Sequence, residues 1–215
     1  MYKRIKKAII SNYKLIICFF CLLAFLALAE DVFNHDIMKG DIIGYDIISR
    51  FLIRDGITPI MKIITWFGSA YCLVPLTIIL FIVLKNKKVG ILITSNIVII
   101  TIINQLFKFM LQRPRPTEFR IINESGYSFP SGHSMVSMAF YGFLAYLIYK
   151  NVKNKRIKWV SIVLLLLLPI LIGISRIYLG VHYTSDVLAG FLISVSYLIV
   201  YTSIINRLHI LNKKQ

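Results

Sequence analysis

Six apolar stretches, at about 8–29, 57–84, 89–109, 133–150, 157–175 and 183–206, constrain this chain more than any other feature. A helix needs roughly 17–25 apolar residues to cross the hydrocarbon of a bilayer. Inside hydrocarbon every backbone polar group must find its partner within the protein, which a helix achieves alone. At 215 residues and 58% hydrophobic, the chain is too apolar for a soluble domain and too short for several domains. The expected fold is all-α: one integral membrane domain over residues 1–215, a six-helix transmembrane bundle. The second stretch is long enough to tilt or to include an interfacial turn.

The net charge of +16 invites a nucleic-acid reading, but its distribution argues against one. Lys3, Arg4, Lys6, Lys7 and Lys14 precede or open the first span, and Lys85, Lys87 and Lys88 separate the second from the third. Lys150, Lys153, Lys155, Arg156 and Lys158 separate the fourth from the fifth, and Arg207, Lys213 and Lys214 follow the sixth. These regions hold no carboxylate; all 9 acids fall in the alternate set. The positive-inside rule then puts both termini in the cytoplasm of a multi-pass cell-membrane protein, with the acid-bearing loops outside.

Ala27-Leu28-Ala29 before Glu30 resembles a signal-peptide cleavage site, but the apolar run before it is longer than the roughly 7–15 residues usual there, which favours an uncleaved first span. Between Asp41 and Arg54, Ile43, Ile47, Phe51 and Leu52 recur at spacings near three and four, as in a helix lying on the outer membrane surface. Gly68 and Ser69 suit close helix contact, and Trp66 suits an interfacial anchor. Cys18, Cys21 and Cys72 lie in apolar spans and read as inert thiols, and His35 and His209 read as solvated surface residues.

Chemistry concentrates in three outer clusters. In Tyr127-Ser128-Phe129-Pro130-Ser131-Gly132-His133-Ser134, Pro130 suits the approach to a helix, Ser131 an N-cap and Gly132 a close backbone approach to a ligand. A helix N-terminus attracts an anion, most naturally phosphate, and would set His133 beside it; a polar turn capping a membrane helix reads equally well from this stretch alone. At the end of the third span, Lys108 precedes Arg113-Pro114-Arg115-Pro116, whose prolines hold both arginines in an extended segment. Snorkelling explains flanking cations elsewhere, but basic residues are sparse on this outer side. After Arg176, His182 and Asp186 are spaced to share a helix face, so that the carboxylate accepts from one imidazole nitrogen and the other points at a substrate. An isolated charge at membrane depth costs about 2.5–3.5 kcal/mol, so Lys108, Arg176 and Asp186 are expected to compensate one another and a bound anion.

Taken together, Lys108 with six residues before Arg115-Pro116, then Pro130-Ser131-Gly132-His133, then Ser175-Arg176 with five residues before His182 and three more before Asp186, resemble the three-part signature of the type 2 phosphatidic acid phosphatases. That family comprises membrane relatives of vanadium haloperoxidases and bacterial acid phosphatases. Arg113 falls outside the strict pattern. The resemblance implies an active site at the extracytoplasmic ends of spans three to six. It assigns phosphate binding to Lys108, Arg115, Ser131, Gly132 and Arg176, nucleophilic attack to His182, its orientation to Asp186, and leaving-group protonation to His133. It implies no metal and no cofactor, with activity bell-shaped in pH.

The expected function is hydrolysis of a membrane lipid phosphate or diphosphate through a phosphohistidine, with undecaprenyl diphosphate, phosphatidylglycerol phosphate and phosphatidic acid as candidate substrates. The partners expected are that lipid and the bilayer, not nucleic acid. Phosphotransfer to another lipid would use the same intermediate. A non-catalytic carrier of anionic lipid would need the cations but neither His182 nor Asp186.

Overall fold

The structure, a computed structural model, describes residues 2–34, 38–54 and 56–210, with side chains from residue 12 onward. His35, Asp36, Asp55, Lys213 and Lys214, and the side chains of Lys3, Arg4, Lys6 and Lys7, lie outside that description. Among the described residues there are eight helices and no strand. They are α1 (Tyr2–Phe33), α2 (Lys39–Leu52), α3 (Ile57–Trp66), α4 (Ala70–Val83), α5 (Lys87–Leu111), α6 (Gly132–Asn151), α7 (Lys155–Tyr178) and α8 (Thr184–Arg207).

Helix starts follow local chemistry. Asn86, Ser131 and Asn154 cap α5, α6 and α7 by accepting from backbone N–H groups of Lys88, Ser134 and Ile157, which satisfies donors that a helix cannot satisfy itself. Four helices, α1 from Asn12 onward, α5, α7 and α8, are long and apolar enough to cross a membrane. The long second stretch divides into α3 and α4, bent by 43° across Phe67-Gly68-Ser69, and counts as a fifth when taken as one broken span.

α6 is the exception that the packing explains. It is 20 residues long but less apolar than the others, and it packs against α5, α7 and α8. Ser134, Ser137, Phe140 and Phe143 are completely buried. A helix that meets protein on most sides needs small residues for close contact more than lipid-facing aliphatics. Ser194 Oγ donates to Met135 O at 2.8 Å and Asn96 Nδ2 to Ala139 O at 3.0 Å, so α8 and α5 hold α6 with polar groups as well.

α2 is a separate amphipathic helix. Ile43, Ile47 and Phe51 are exposed along its outward face, as the spacing predicts, whereas Ile48 and Leu52 turn inward to pack beside Met61 and Tyr178. Asp41 also turns inward and is buried.

Residues 112–131 join α5 to α6 without regular secondary structure and fold across the α7–α8 connection. Ile121 N donates to Leu179 O at 3.1 Å, and Ser128 N to Arg113 O at 2.9 Å. Gly180 makes this layering possible: its φ is +68°, and a Cβ there would lie 2.0 Å from the Phe119 carbonyl oxygen. Gly180→Ala should therefore destabilise the protein by roughly 2 kcal/mol or more, read as a lower thermal midpoint of the detergent-purified variant.

Candidate active site

His182 stands between α7 and α8, buried, with each ring nitrogen engaged. Nδ1 lies 3.3 Å from Asp186 Oδ2, and Nε2 lies 3.1 Å from an Arg115 guanidinium nitrogen. A guanidinium only donates, so Nε2 is the accepting nitrogen and Nδ1 carries the proton toward the carboxylate. Burial first, and then the charges of Arg176, Arg115 and Lys108, hold the imidazole well below its ordinary value of 6.5. The result is a neutral imidazole with its lone pair on the cationic side.

That side is a cavity of about 390 Å³ whose walls include Asn104, Lys108, Phe109, Arg115, Gly132, His133 and His182. The three clusters are thus brought to one place. Arg115 is held by the carbonyls of Ser125, Gly126 and Val181, each at 3.0 Å, and Lys108 Nζ donates to Tyr127 O. Gly132 opens α6 against Asn104, whose Oδ1 would lie 3.1 Å from a Cβ at that position. Asn104 Nδ2 in turn donates to Pro130 O at 3.1 Å.

One expectation changes, and one residue gains a second role. Ser131 is not in the cavity wall; its hydroxyl oxygen accepts from Ser134 Oγ at 3.0 Å and caps α6, while its N–H donates to Asp186 O at 3.0 Å. These two bonds make Ser131 the link between α6 and α8. The charges at membrane depth also pair differently from the expectation. Arg176 is 1% exposed, stands behind the cavity wall, and binds Glu124 at 2.6 Å and Thr65 at 2.8 Å, with its Nε buried and without a partner among the described residues.

Asp186 is fully buried and belongs to Arg113. One Arg113 nitrogen donates to Asp186 Oδ1 at 2.6 Å and to Ser185 Oγ at 2.8 Å, and the other to Asp41 Oδ2 at 2.7 Å. The Tyr183 ring stacks 4.1 Å from the guanidinium carbon. Asp41 Oδ1 accepts from Ser185 N at 2.8 Å, placing a carboxylate at the positive end of α8. Asp186 Oδ2 accepts from Tyr183 N at 2.9 Å.

The family model of the PAP2 superfamily matches residues 88–210. The chain belongs to the PAP2 superfamily. It is 32% identical over 176 residues to phosphatidylglycerophosphatase B of Bacillus subtilis, covering 79% of this chain and 85% of that protein. It is 28% identical over 169 residues to undecaprenyl-diphosphatase of Sulfolobus acidocaldarius, covering 75% and 73%. The crystal structure of the transmembrane PAP2 type phosphatidylglycerolphosphate phosphatase from Bacillus subtilis superposes with a TM-score of 0.77 at 28% identity, over 92% of this chain and 98% of that one.

In this PAP2 chain the sequence reading missed Asp41, Glu124, Asn104 and Thr65, and left Arg113 without a role. The available signals were weak: an acid on an apolar surface helix, an acid in the outer loop and an Asn in an apolar span. Removing one partner of a buried pair leaves the other charge uncompensated, which costs about 3–5 kcal/mol. Arg113→Ala should therefore lower both the thermal midpoint and phosphate release by more than Asp41→Asn, because it strips Asp186 directly. Parallel melting curves and turnover rates of the two purified variants check this order.

Proposed function

We propose that this member of the PAP2 superfamily is a metal-independent phosphatase that hydrolyses a phosphomonoester or diphosphate of a membrane lipid through a phosphohistidine. The observation that carries the reading is the orientation of His182: Nδ1 toward Asp186, Nε2 toward the cavity that holds Lys108 and Arg115. Phosphoryl transfer depends mainly on positioning and on stabilising charge spread over the equatorial oxygens. Lys108, Arg115 and Arg176 supply that charge, with the buried Arg176 Nε still able to donate, and the backbone at Gly132 adds the N-terminus of α6.

His182 Nε2 attacks phosphorus while the bond to the leaving oxygen breaks and His133 protonates that oxygen. His133 then takes a proton from water as the water attacks the phosphohistidine, which releases inorganic phosphate and restores Nε2. Asp186 fixes the tautomer and stabilises the charged ring. Ser131 acts through position, tying the start of α6 to Asp186.

The substrate keeps its tail in the bilayer, since Phe109 continues the cavity wall onto the exposed face of α5. The relatives' names favour phosphatidylglycerol phosphate and undecaprenyl diphosphate, with phosphatidic acid a third candidate. α1, the broken α3–α4 pair, α5, α6, α7 and α8 make six crossings of one domain. Lys85 to Lys88 and the 150–158 loop face the cytoplasm with both termini, and the cavity faces the opposite side.

Detergent-purified protein should release phosphate from these lipids with EDTA present, and His182→Ala should lower the rate by about 10³-fold or more. Activity in His182→Ala equal to wild type would remove the nucleophile. The pH profile should be bell-shaped. Because His182 is held low, its protonation should cut activity only below pH 6.5, and the alkaline limb should follow loss of the His133 proton in the lipid complex, where the negative charge of the bound phosphate offsets the surrounding cations. Initial rates from acid to alkaline pH, with the lipid saturating, measure both limbs.

A further inference from the structure

The four residues Glu124 to Tyr127 engage all three phosphate-binding cations at once. Glu124 Oε1 accepts from Arg176 at 2.6 Å, the Ser125 and Gly126 carbonyls accept from Arg115 at 3.0 Å, and the Tyr127 carbonyl accepts from Lys108. Only one of these acceptors carries a charge. A carbonyl can share a guanidinium or ammonium with phosphate, because those groups have several donors. A carboxylate cannot share in the same way: it repels the phosphate dianion that approaches the same guanidinium. Any phosphate that reaches Arg176 therefore meets Glu124 there.

The surroundings of Arg176 sharpen this conflict. Its guanidinium is buried, with one terminal nitrogen on Thr65 and the other on Glu124. Nε remains a buried donor without a partner among the described residues, and an unmade hydrogen bond of that kind is expensive. Arg176 therefore has donor capacity for phosphate at Nε, while its charge is already compensated by Glu124. The Glu124 side chain is 30% exposed, so water can receive the carboxylate when it is displaced, at far lower cost than if it were buried.

We propose that Glu124 is an internal competitor of phosphate at Arg176, and so sets how weakly the site holds inorganic phosphate and how readily it lets that product go. This rests on the reading of Arg176 as a phosphate-binding group. The carboxylate swings from Arg176 as the lipid phosphate docks. After hydrolysis of the phosphohistidine it reclaims the guanidinium and expels the product. Binding that is equally strong for substrate and product lowers KM without helping turnover. A competing carboxylate weakens both in equal measure, which keeps a strongly cationic site from being trapped by its own product.

The test is the inhibition constant of inorganic phosphate for wild type, Glu124→Gln and Glu124→Asp, with KM and kcat measured alongside. Glu124→Gln keeps the size and an acceptor oxygen but removes the charge. Its inhibition constant for phosphate should fall about tenfold, with KM falling in step and kcat no higher than wild type. Glu124→Asp keeps the charge on a shorter arm and should lie between the two. An unchanged or raised inhibition constant in Glu124→Gln would overturn the proposal, a raised one showing that Glu124 steadies Arg176 for phosphate instead of opposing it. If inorganic phosphate did not inhibit wild type at all and Arg176→Ala left KM untouched, the phosphate-binding role of Arg176 would fall, and this proposal with it. Wild-type inhibition with no change in Glu124→Gln overturns only the role of Glu124.

Discussion

A carboxylate with no exposure to solvent, at the first turn of a helix apolar enough to span a bilayer, is the constraint around which this site is built. Asp186 must be ionised to orient His182, and an ionised carboxylate without partners would be severely destabilised there. The structure surrounds it with donors: Arg113 on Oδ1, and Tyr183 N and His182 Nδ1 on Oδ2. Arg113 balances Asp186 and gives its other terminal nitrogen to Asp41, whose added negative charge is met by the Ser185 N–H at the start of α8. Each charge is made tolerable by the next, and the chain of pairing ends on the surface helix α2. The irregular segment 112–131 and the inward turn of α2 follow from this requirement as much as from apolar packing.

The sequence shows the reacting groups more clearly than their supports, for a physical reason. Residues that meet a phosphate must be of fixed type and must lie near one another on short, rigid pieces of chain. His182 and Asp186 are therefore one helical turn apart, and Ser131, Gly132 and His133 are contiguous. Supporting partners need only arrive in space. Asp41 reaches Arg113 across 72 positions, Glu124 reaches Arg176 across 52, and Thr65 reaches Arg176 across 111. No spacing rule connects residues so far apart. Ser131 is legible as the cap of α6, because a serine just before a helix can satisfy a backbone donor within the same short piece of chain.

The helices show the same division. Helices that meet lipid on most sides announce themselves by continuous apolar runs, and α1, α5, α7 and α8 do so. α6 meets protein instead, so its small and polar residues dilute the signal although it lies at the centre of the packing. The break between α3 and α4 was foreshadowed by the length of the second stretch, and Gly68 lies at the break. There a Cβ would approach Ile172 to 2.6 Å, so the bend seats this span against α7, one turn from Arg176.

The division of labour at Asp186 also explains how one site can be strongly cationic and still hold the neutral imidazole that the proposed mechanism needs as nucleophile. The charges that bind phosphate lower the proton affinity of His182, which keeps Nε2 unprotonated but also weakens it as an electron donor. A lone Asp186 would oppose that effect by drawing the imidazole toward the imidazolium. With Oδ1 committed to Arg113, much of its negative charge is already balanced, and Oδ2 is left to hold the Nδ1 proton in place. The carboxylate then orients the ring without making it a strong base. In the proposed mechanism its stabilising effect would count most when phosphorus bonds to Nε2 and the ring becomes positive, since that charge would develop in the attack and is absent from the resting imidazole. This is the condition for lowering a barrier without deepening the ground state. Arg113 and Asp41 set that balance from behind His182.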